Sequence, residues 1–278
     1  MTPAVSVRGL RKEYPGHVAV EDVRLEIEQG EVFSLLGPNG AGKTTTVEIL
    51  EGHRKRTAGE ASVLGEDPGT AGRAWRARIG IVLQTANDAA QLNVGETVRH
   101  FARYYPDPRD PDDVLEKVGL AEKARTRVRA LSGGQRRRLD VALGIIGKPE
   151  LLFLDEPTTG FDPEARRRFW TLIKSLAAEG TTILLTTHYL DEAEALADRV
   201  AVLAAGRIVA EGTPSSLGRR SRDDAVVRWR DENGFHEERT QFPTKLVTEL
   251  SHGRELADLT VSRLSLEDVY LRLIGETA

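Results

Sequence analysis

Two kinds of hydrophobic pattern alternate along the chain: short continuous apolar runs, and longer stretches with apolar residues at helical spacing. The continuous runs are EVFSLLG (31–37), RIGIVLQ (78–84), LLFLDEP (151–157) and TTILLTT (181–187). Runs of this length that are rich in β-branched residues are typical of strands buried on both faces of a sheet. Because helical segments separate them, the pattern predicts an α/β fold with a mainly parallel core sheet. We expect the segment before the first run to form an antiparallel β part.

The hydrophobic pattern is helical between Asp88 and Gly147, where ETVRHFARYY and DDVLEKVGL carry apolar residues at helical spacing. We interpret this stretch, about 88–147, as a helical subdomain inserted between strands of the sheet. A further helix is predicted to begin at Asp162-Pro163, because Asp is a favourable N-cap and Pro a favourable first residue. Its buried face is expected to comprise Phe169, Leu172, Ile173 and Leu176. RVAVLAAGRIVAEG (199–212) predicts a hairpin that closes this main domain.

The composition changes after residue 213. A polar and basic linker (214–222) is predicted to connect the main domain (1–213) to a small C-terminal domain (223–278). In the small domain, AVVRW and FHEERTQF flank DENG, which is an Asn-Gly hairpin signal. A helix from about Thr244, a strand at LTVSR and a last helix at SLEDVYLRLI complete a small α+β unit.

Composition narrows the classes of function. The 278 residues carry a formal net charge of −4, so there is no basic nucleic-acid footprint and no nucleic-acid partner is expected. Cysteine is absent, which excludes disulfides, thiolate metal sites and cysteine nucleophiles. The start, MTPAVSVRGLRKE, lacks the apolar segment of a secretory signal, and runs such as VAVLAA (200–205) are too short to span a bilayer. We therefore expect a soluble chain.

A phosphate-binding loop follows the first buried strand. The P-loop pattern is matched in full, between a predicted strand and a predicted helix, by Gly37, Pro38, Asn39, Gly40, Ala41, Gly42, Lys43 and Thr44. Its glycines let backbone N–H groups approach phosphate oxygens, and the helix N-terminus adds a favourable dipole. Lys43 supplies a charge for the β and γ phosphates, and Thr44 offers a hydroxyl to Mg²⁺.

Two acids, Asp155 and Glu156, end the predicted strand LLFLDE. A strand buried on both faces delivers its last residues to the crevice at the carboxyl edge of the sheet. Asp155 is therefore expected to hold Mg²⁺, and Glu156 to polarise the attacking water. With the P-loop, these acids indicate an NTPase, and at this point kinases, GTPases and motors remain possible.

LSGGQ (131–135) is a second glycine-rich segment before a helix, and RRRLDVALGII and LLFLDEP follow it. In this order, GPNGAGKTT, LSGGQ, LLFLDEPTTGFD and TTHYLDEAEALADRV closely resemble the motifs of ABC-type ATPases. The resemblance covers about residues 5–213, and a chance occurrence of all four motifs is negligible. It implies the P-loop NTPase fold of ABC ATPases, with hydrolysis of ATP in the presence of Mg²⁺.

The resemblance also implies roles for single residues. Tyr14 matches the aromatic residue that stacks on adenine, with a tyrosine packed in its strand as the alternative. Gln84 matches the glutamine that reaches Mg²⁺ and the attacking water, and His188 matches the histidine that contacts the γ-phosphate. Asp162 matches the aspartate that bridges two nucleotide sites, and Thr45 closes the GPNGAGKTT motif.

In the ABC family two chains pack head to tail, and LSGGQ of one chain caps the nucleotide held by the other. The resemblance thus implies an ATP-dependent dimer in which a second copy's ATP is contacted by Ser132, Gly133, Gly134 and Gln135. The charge that develops on the γ-phosphate during transfer needs more donors than one P-loop supplies. The arginines at 136–138 and 166–168 are interpreted as solvated helix faces.

One ATPase domain without a membrane span implies that transport requires a separate transmembrane permease. The short tail ending in SLEDVYLRLIG resembles the multidrug and antibiotic exporter ATPases that pair with a type-2 permease. The chain is then expected at the cytoplasmic face of the cell membrane as a peripheral subunit, with the permease contact near Gln84 and residues 85–105. An ABC ATPase that acts on a soluble macromolecular partner is the alternative.

Overall fold

The computed structural model describes residues 2–82, 91–219, 225–231, 234–251 and 256–263, together with residues 267 and 270. The chain divides into two compact units, Met1–Glu211 and Gly212–Ala278, close to the predicted boundary at residue 213. Among the described helices, none has both the length and the apolar character needed to cross a membrane.

The first unit is built on a sheet of strands β1 (Val5–Tyr14), β2 (His17–Ile27), β3 (Val32–Leu36), β4 (Ala58–Val63), β5 (Ile79–Val82), β6 (Leu151–Asp155), β7 (Thr182–Thr187), β8 (Arg199–Ala204) and β9 (Arg207–Gly212). Within the described residues the strand order is β4-β1-β2-β9-β8-β3-β7-β6-β5. β3 pairs in parallel with β7 and β8, and β6 pairs in parallel with β5 and β7. β1 pairs antiparallel with β2 and β4. The predicted parallel core and the predicted antiparallel N-terminal part are both confirmed.

The helices of this unit are α1 (Lys43–Leu50), α2 (Arg73–Arg76), α3 (Val94–Ala102), α4 (Pro111–Lys117), α5 (Gly133–Ile145), α6 (Pro163–Ala178) and α7 (Leu190–Leu196), with 3-10 turns at Ala121–Lys123 and Val128–Ala130. α3, α4 and α5 form the helical insertion that the sequence predicts. Asp162 caps α6 as predicted, because its carboxylate accepts the backbone N–H of Ala165 at 2.8 Å. The predicted apolar face of α6 is buried at all four positions.

Alternate residues of the central strands belong to two hydrophobic cores. In β6, Leu151 and Phe153 pack with α1 and the antiparallel strands, whereas Leu152 and Leu154 pack with the inserted helices and α6. All four are completely buried. A strand that must fill a core on each face can carry no polar alternation, which accounts for the continuous apolar runs in the sequence.

α5 approaches the sheet unusually closely at two glycines. A Cβ at Gly80 in β5 would lie 2.2 Å from the carbonyl oxygen of Gly144 in α5, and a Cβ at Gly144 would lie 2.6 Å from Val82 Cγ2. Only glycine permits this backbone contact, because real Cβ atoms do not come so close to other atoms. The contact fixes the position of the helix that begins at LSGGQ.

The predicted hairpin at 199–212 is formed by the adjacent strands β8 and β9. Its two connecting residues, Ala205 and Gly206, both have positive φ values of 47° and 73°. Two left-handed residues give the turn twist that matches antiparallel strands, so this short connection suits a hairpin.

The second unit contains α8 (Pro214–Arg219), β10 (Ala225–Asp231), β11 (Gly234–Thr240), α9 (Pro243–Ser251) and β12 (Ala257–Arg263). β10 lies between β11 and β12 and pairs antiparallel with both, which confirms a small α+β unit. α8 occupies most of the predicted linker, where the Thr213 hydroxyl accepts the backbone N–H of Ser216 at 3.0 Å and caps the helix. Glu267 and Tyr270 are helical, and the other residues of the predicted last helix lie outside the described residues.

Candidate functional site

Two of the predicted catalytic residues, Glu156 and His188, lie where the parallel strands end. β3 leads into the P-loop, β6 ends at Asp155, and β7 ends directly before His188. The parallel register sets Asp155 opposite Thr186, and Leu36 opposite Thr187. Because strands in register end at one edge, three separate motifs of the sequence meet at the same crevice.

A cleft of about 430 Å³ opens at this edge. It is lined by Tyr14, His17, Ala19, Asn39, Gly40, Gly42, Lys43, Thr44, Thr45, Asp155 and Glu156. The structure therefore brings the P-loop, both acids and the predicted adenine-stacking tyrosine to one cavity. His17 and Ala19 were not predicted, and no motif in the sequence marks them.

The ammonium group of Lys43 is fixed inside the P-loop. Lys43 is the first residue of α1, is only 6% exposed, and donates to the carbonyl oxygens of Gly37 at 2.7 Å and Pro38 at 3.1 Å. Burial lowers the pKa of Lys43, while the negative charges of Glu156 and Asp155 act in the opposite direction and raise it. A positive charge held this way faces the cleft at the point where a phosphate chain would follow the loop.

Two glycines let the P-loop backbone touch its neighbours. Gly42 has a φ of 103°, and a Cβ on it would lie 2.4 Å from the carbonyl oxygen of Ala19. A Cβ on Gly37 would lie 2.4 Å from the carbonyl oxygen of Leu203. Side chains at these positions would push the loop off the sheet edge, so the glycines set the position of the cradle itself.

Asp155, Glu156 and His188 form a connected polar group. A carboxylate oxygen of Asp155 accepts the hydroxyl hydrogen of Thr186. The backbone N–H of Glu156 is directed at Thr186, with its carbonyl and hydroxyl oxygens both 3.1 Å away. Nδ1 of His188 lies 3.1 Å from Glu156 Oε1. The predicted base and the predicted phosphate-contacting histidine are therefore direct neighbours.

The backbone of Glu156 is in the left-handed region, with a φ of 44°. For a residue with a Cβ this conformation costs roughly 1–2 kcal/mol, and it persists only where the surroundings enforce it. The strain falls on the residue predicted to polarise the attacking water. The sharp turn after β6 is thus built into the candidate catalytic loop.

Arg137 corrects the interpretation of residues 136–138 as a solvated helix face. It lies in the second turn of α5 and is 7% exposed. Its guanidinium donates to the carbonyl oxygens of Asp155 at 2.6 Å and Pro157 at 3.2 Å. The close contact of α5 with β5 turns this side of the helix inward. The buried Val141, one helical turn later, is a signal that could have indicated it.

Tyr14 lies at the end of the hairpin between β1 and β2, paired with His17. Its hydroxyl accepts a hydrogen bond from Arg54, and its ring centroid lies 5.0 Å from Lys12 Nζ and 5.5 Å from the guanidinium carbon of Arg54. Among the described residues, the two hydrophobic cores do not include Tyr14. The ring is positioned by cations and lines the cleft, so it is available to an aromatic base.

LSGGQ is not part of the cleft lining. Ser132 caps α5: its hydroxyl accepts the N–H of Gln135 at 3.3 Å, and its own N–H donates to the side chain of Gln135 at 3.0 Å. A Cβ added at Gly133 or Gly134 would meet no heavy atom of the described chain within 4 Å. The packing of this chain therefore does not require glycine at either position.

Asp162 is also exposed at the start of a helix, and it does not line the cleft. Arg166, one turn later, is only 25% exposed, donates to Asp191 at 2.9 Å, and lies over the ring of Tyr189 at 4.9 Å. This arginine is thus another departure from the predicted solvated face. Gln84, predicted as a Mg²⁺ and water contact, lies outside the described residues.

Comparison with known proteins agrees with this geometry. The family model described as ABC transporter matches residues 20–159. The Nod factor export ATP-binding protein I of Ralstonia nicotianae is 46% identical over 222 residues, which cover 78% of this chain and 69% of that protein. The daunorubicin resistance ATP-binding protein DrrA3 of Streptomyces coeruleorubidus is 37% identical in an alignment 304 positions long, which covers 98% of this chain and 96% of that protein.

A solved structure gives the same fold. It is a dimeric ATP-binding cassette in a post-hydrolysis state, bound to ADP and Pi, with a TM-score of 0.69 and 25% sequence identity. The match covers 75% of this chain and 98% of that one. With this fold, this cleft and these relatives, the chain belongs to the ABC transporter family as an ATP-hydrolysing, nucleotide-binding subunit of the exporter type.

Proposed function

We propose that this chain hydrolyses ATP at sites shared between two copies, and that it powers export through a separate membrane permease. The observation that carries the proposal is the placement of LSGGQ. Its two glycines face open space at an exposed helix start, away from the chain's own cleft. The chain's own packing does not require these glycines. Close approach of a ligand bound to another molecule would require them, because a side chain would occupy its space.

The chain's own cleft supplies one half of the site. The P-loop amides and Lys43 bind the β and γ phosphates, and Tyr14 stacks on adenine. Thr44, Asp155 and Gln84 are the proposed Mg²⁺ contacts. Among the described residues no group of three or more His, Cys, Asp or Glu could hold a metal ion. This fits Mg²⁺, which proteins commonly bind through one or two side chains and the phosphates, and which neutralises phosphate charge when bound.

Glu156 is the proposed base. The strained backbone of Glu156 and its two contacts with Thr186 fix the position of its backbone. Nδ1 of His188, 3.1 Å from Oε1 of Glu156, restricts the direction of its side chain. A base must lie within hydrogen-bond reach of the proton it accepts, so this restriction favours proton transfer from one water position. His188 then faces both the carboxylate and the γ-phosphate position.

The partner copy supplies the other half. Ser132 and the first N–H groups of α5 are donors at an exposed helix N-terminus, which is a favourable place for an anion. With Gln135 they are proposed to meet the γ-phosphate held by the partner's P-loop, with Asp162 between the two sites. The dimeric state of the solved cassette supports this arrangement. ATP then joins the two chains, and its hydrolysis separates them.

The export proposal rests on the relatives. Two of them are named for export of Nod factor and for resistance to daunorubicin. We propose that this chain lies at the cytoplasmic face of the membrane, with residues 85–105 contacting the permease. Exposed apolar side chains support this choice, since Leu92 is 37% exposed and Tyr104 on the turn after α3 is 68% exposed.

The roles of the base and of the cradle can be separated by two substitutions. Glu156→Gln should retain ATP affinity and slow steady-state turnover by at least about 10²-fold, because the base is lost while the phosphate contacts remain. Lys43→Ala should weaken ATP binding itself. Glu150→Gln is the matched control, since Glu150 precedes the other end of β6 and pairs only at the surface with Arg78. Normal turnover of Glu156→Gln would remove Glu156 from the mechanism.

The shared site predicts rescue between two inactive variants. Ser132→Arg should block the partner's site and leave the chain's own cradle intact, so ATP binding by the monomer survives while ATP-driven dimerisation is lost. Lys43→Ala has the reverse defect. In the mixed dimer, the Ser132→Arg chain supplies a working P-loop and the Lys43→Ala chain a working LSGGQ, so one site of two is restored.

ATPase rate measured against mixing ratio should therefore show a maximum at intermediate ratios, above either variant alone. Cross-linking establishes that the mixed dimer is present. A flat profile with the mixed dimer present would mean that LSGGQ acts on its own chain's nucleotide.

Membrane association tests the export proposal. We expect the native chain to sediment with membranes from cells that contain its permease, and to lose this association when the permease gene is deleted. A Tyr104→Asp variant should bind membranes more weakly while its ATP affinity is unchanged. Association that survives deletion of every candidate permease, or recovery of the chain with a soluble complex instead, would favour the alternative of a non-transport ATPase.

A further inference from the structure

Arg137 connects the helix that follows LSGGQ with the loop that carries Glu156. Its helix, α5, begins at Ser132, where the partner's nucleotide is proposed to bind. Its guanidinium ends on the carbonyl oxygens of Asp155 at 2.6 Å and Pro157 at 3.2 Å, the residues on each side of Glu156. The Arg137 side chain therefore connects α5, whose start is proposed to contact the partner's ATP, to the loop that carries Glu156 at the chain's own cleft.

Burial of the Arg137 cation at this position is energetically unfavourable. Arg137 is 7% exposed, and burial lowers the pKa of its guanidinium, with the charges of Asp140, Asp155, Glu192 and Glu156 acting in the opposite direction. It also lies near a helix N-terminus, where a positive charge is unfavourable. A buried charge must be compensated by hydrogen bonds, and two of those made by Arg137 go to backbone carbonyls of one loop.

The loop that Arg137 contacts is the strained one. Glu156 has a left-handed backbone, and such a conformation must be imposed by its surroundings. Thr186 accepts its backbone N–H, with oxygens at 3.1 Å, and Arg137 donates to the carbonyl oxygens of the residues before and after it. Thr159 and His188 also contact Glu156, and Arg137 adds a restraint that comes from α5.

We propose that Arg137 is a positioning residue for Glu156 of its own chain, acting from the helix that begins with LSGGQ. The proposal rests on the shared site described above. It differs from a role in shaping LSGGQ, which would affect the partner's ATP instead. As a consequence, a shift of α5 when the partner's nucleotide arrives is transmitted to the chain's own base.

The mixed dimer separates these two roles, because each chain then has one task. The Ser132→Arg chain supplies the P-loop and Glu156 of the restored site, and the Lys43→Ala chain supplies LSGGQ. Arg137→Gln is introduced into one chain or into the other. We expect turnover to fall at least about tenfold when it is in the Ser132→Arg chain, because the base is misplaced. In the Lys43→Ala chain it should change turnover by less than about twofold.

Equal losses in both placements, or a loss confined to the Lys43→Ala chain, would overturn the proposal. Arg138→Gln is the matched control, because its guanidinium donates to the Gly119 carbonyl oxygen at 2.9 Å and not to the catalytic loop. It should show no dependence on placement. Arg137→Lys keeps the charge with fewer donors, and should show the same asymmetry with a smaller loss, which decides the question if Arg137→Gln does not fold.

A second measurement is independent of the shared site. If Arg137 acts through Glu156, adding Arg137→Gln to a Glu156→Gln chain should reduce its residual turnover no further, within about twofold. A full additional tenfold loss would show that Arg137 acts elsewhere. If the mixed pair without Arg137→Gln shows no rescue, the shared-site proposal fails, and this cycle still decides the role of Arg137.

Discussion

The site depends on the buried ammonium of Lys43, which two P-loop carbonyls hold in the same cleft as the acids Asp155 and Glu156. Charges of both signs are held at one sheet edge, where Lys43 is nearly buried and its ammonium is bound by two loop carbonyls. Burying a charge is costly unless hydrogen bonds and opposite charges surround it. The parallel strands and the close-fitting P-loop glycines provide these hydrogen bonds and opposite charges. The fold therefore stabilises the same charged groups that the proposed chemistry uses.

In the proposed mechanism a single chain supplies only part of the site. The cleft contains the P-loop residues, Asp155 and Glu156, which are the proposed cradle, Mg²⁺ contact and base. LSGGQ offers further donors but lies elsewhere on the chain. In the proposed dimer the second copy supplies these donors, and Arg137 would connect the helix that each chain presents to its partner with that chain's own Glu156.

Features encoded locally could be predicted from the sequence. The P-loop, the strand ending in Asp155 and Glu156, and the cap at Asp162 depend on residue type and short spacing, and the structure forms them at the expected places. The burial of Arg137 could not be read from charge pattern, because it results from the contact between Gly80 and Gly144, which are distant in sequence. The left-handed backbone of Glu156 depends on Thr186 of another strand for the same reason. The predicted role of Gln84 stays a prediction.

The proposal that LSGGQ contacts the ATP bound by a second chain can be tested by cross-linking. The chain has no cysteine, so cysteines can be introduced at chosen positions. Asn39→Cys labels the cleft and Ser132→Cys labels the signature, each in a separate Glu156→Gln chain that binds ATP without rapid turnover. With a short thiol cross-linker, we expect ATP-dependent covalent dimers in the mixture of the two chains and none from either chain alone. An intramolecular link in one dilute chain that carries both cysteines would contradict the proposal.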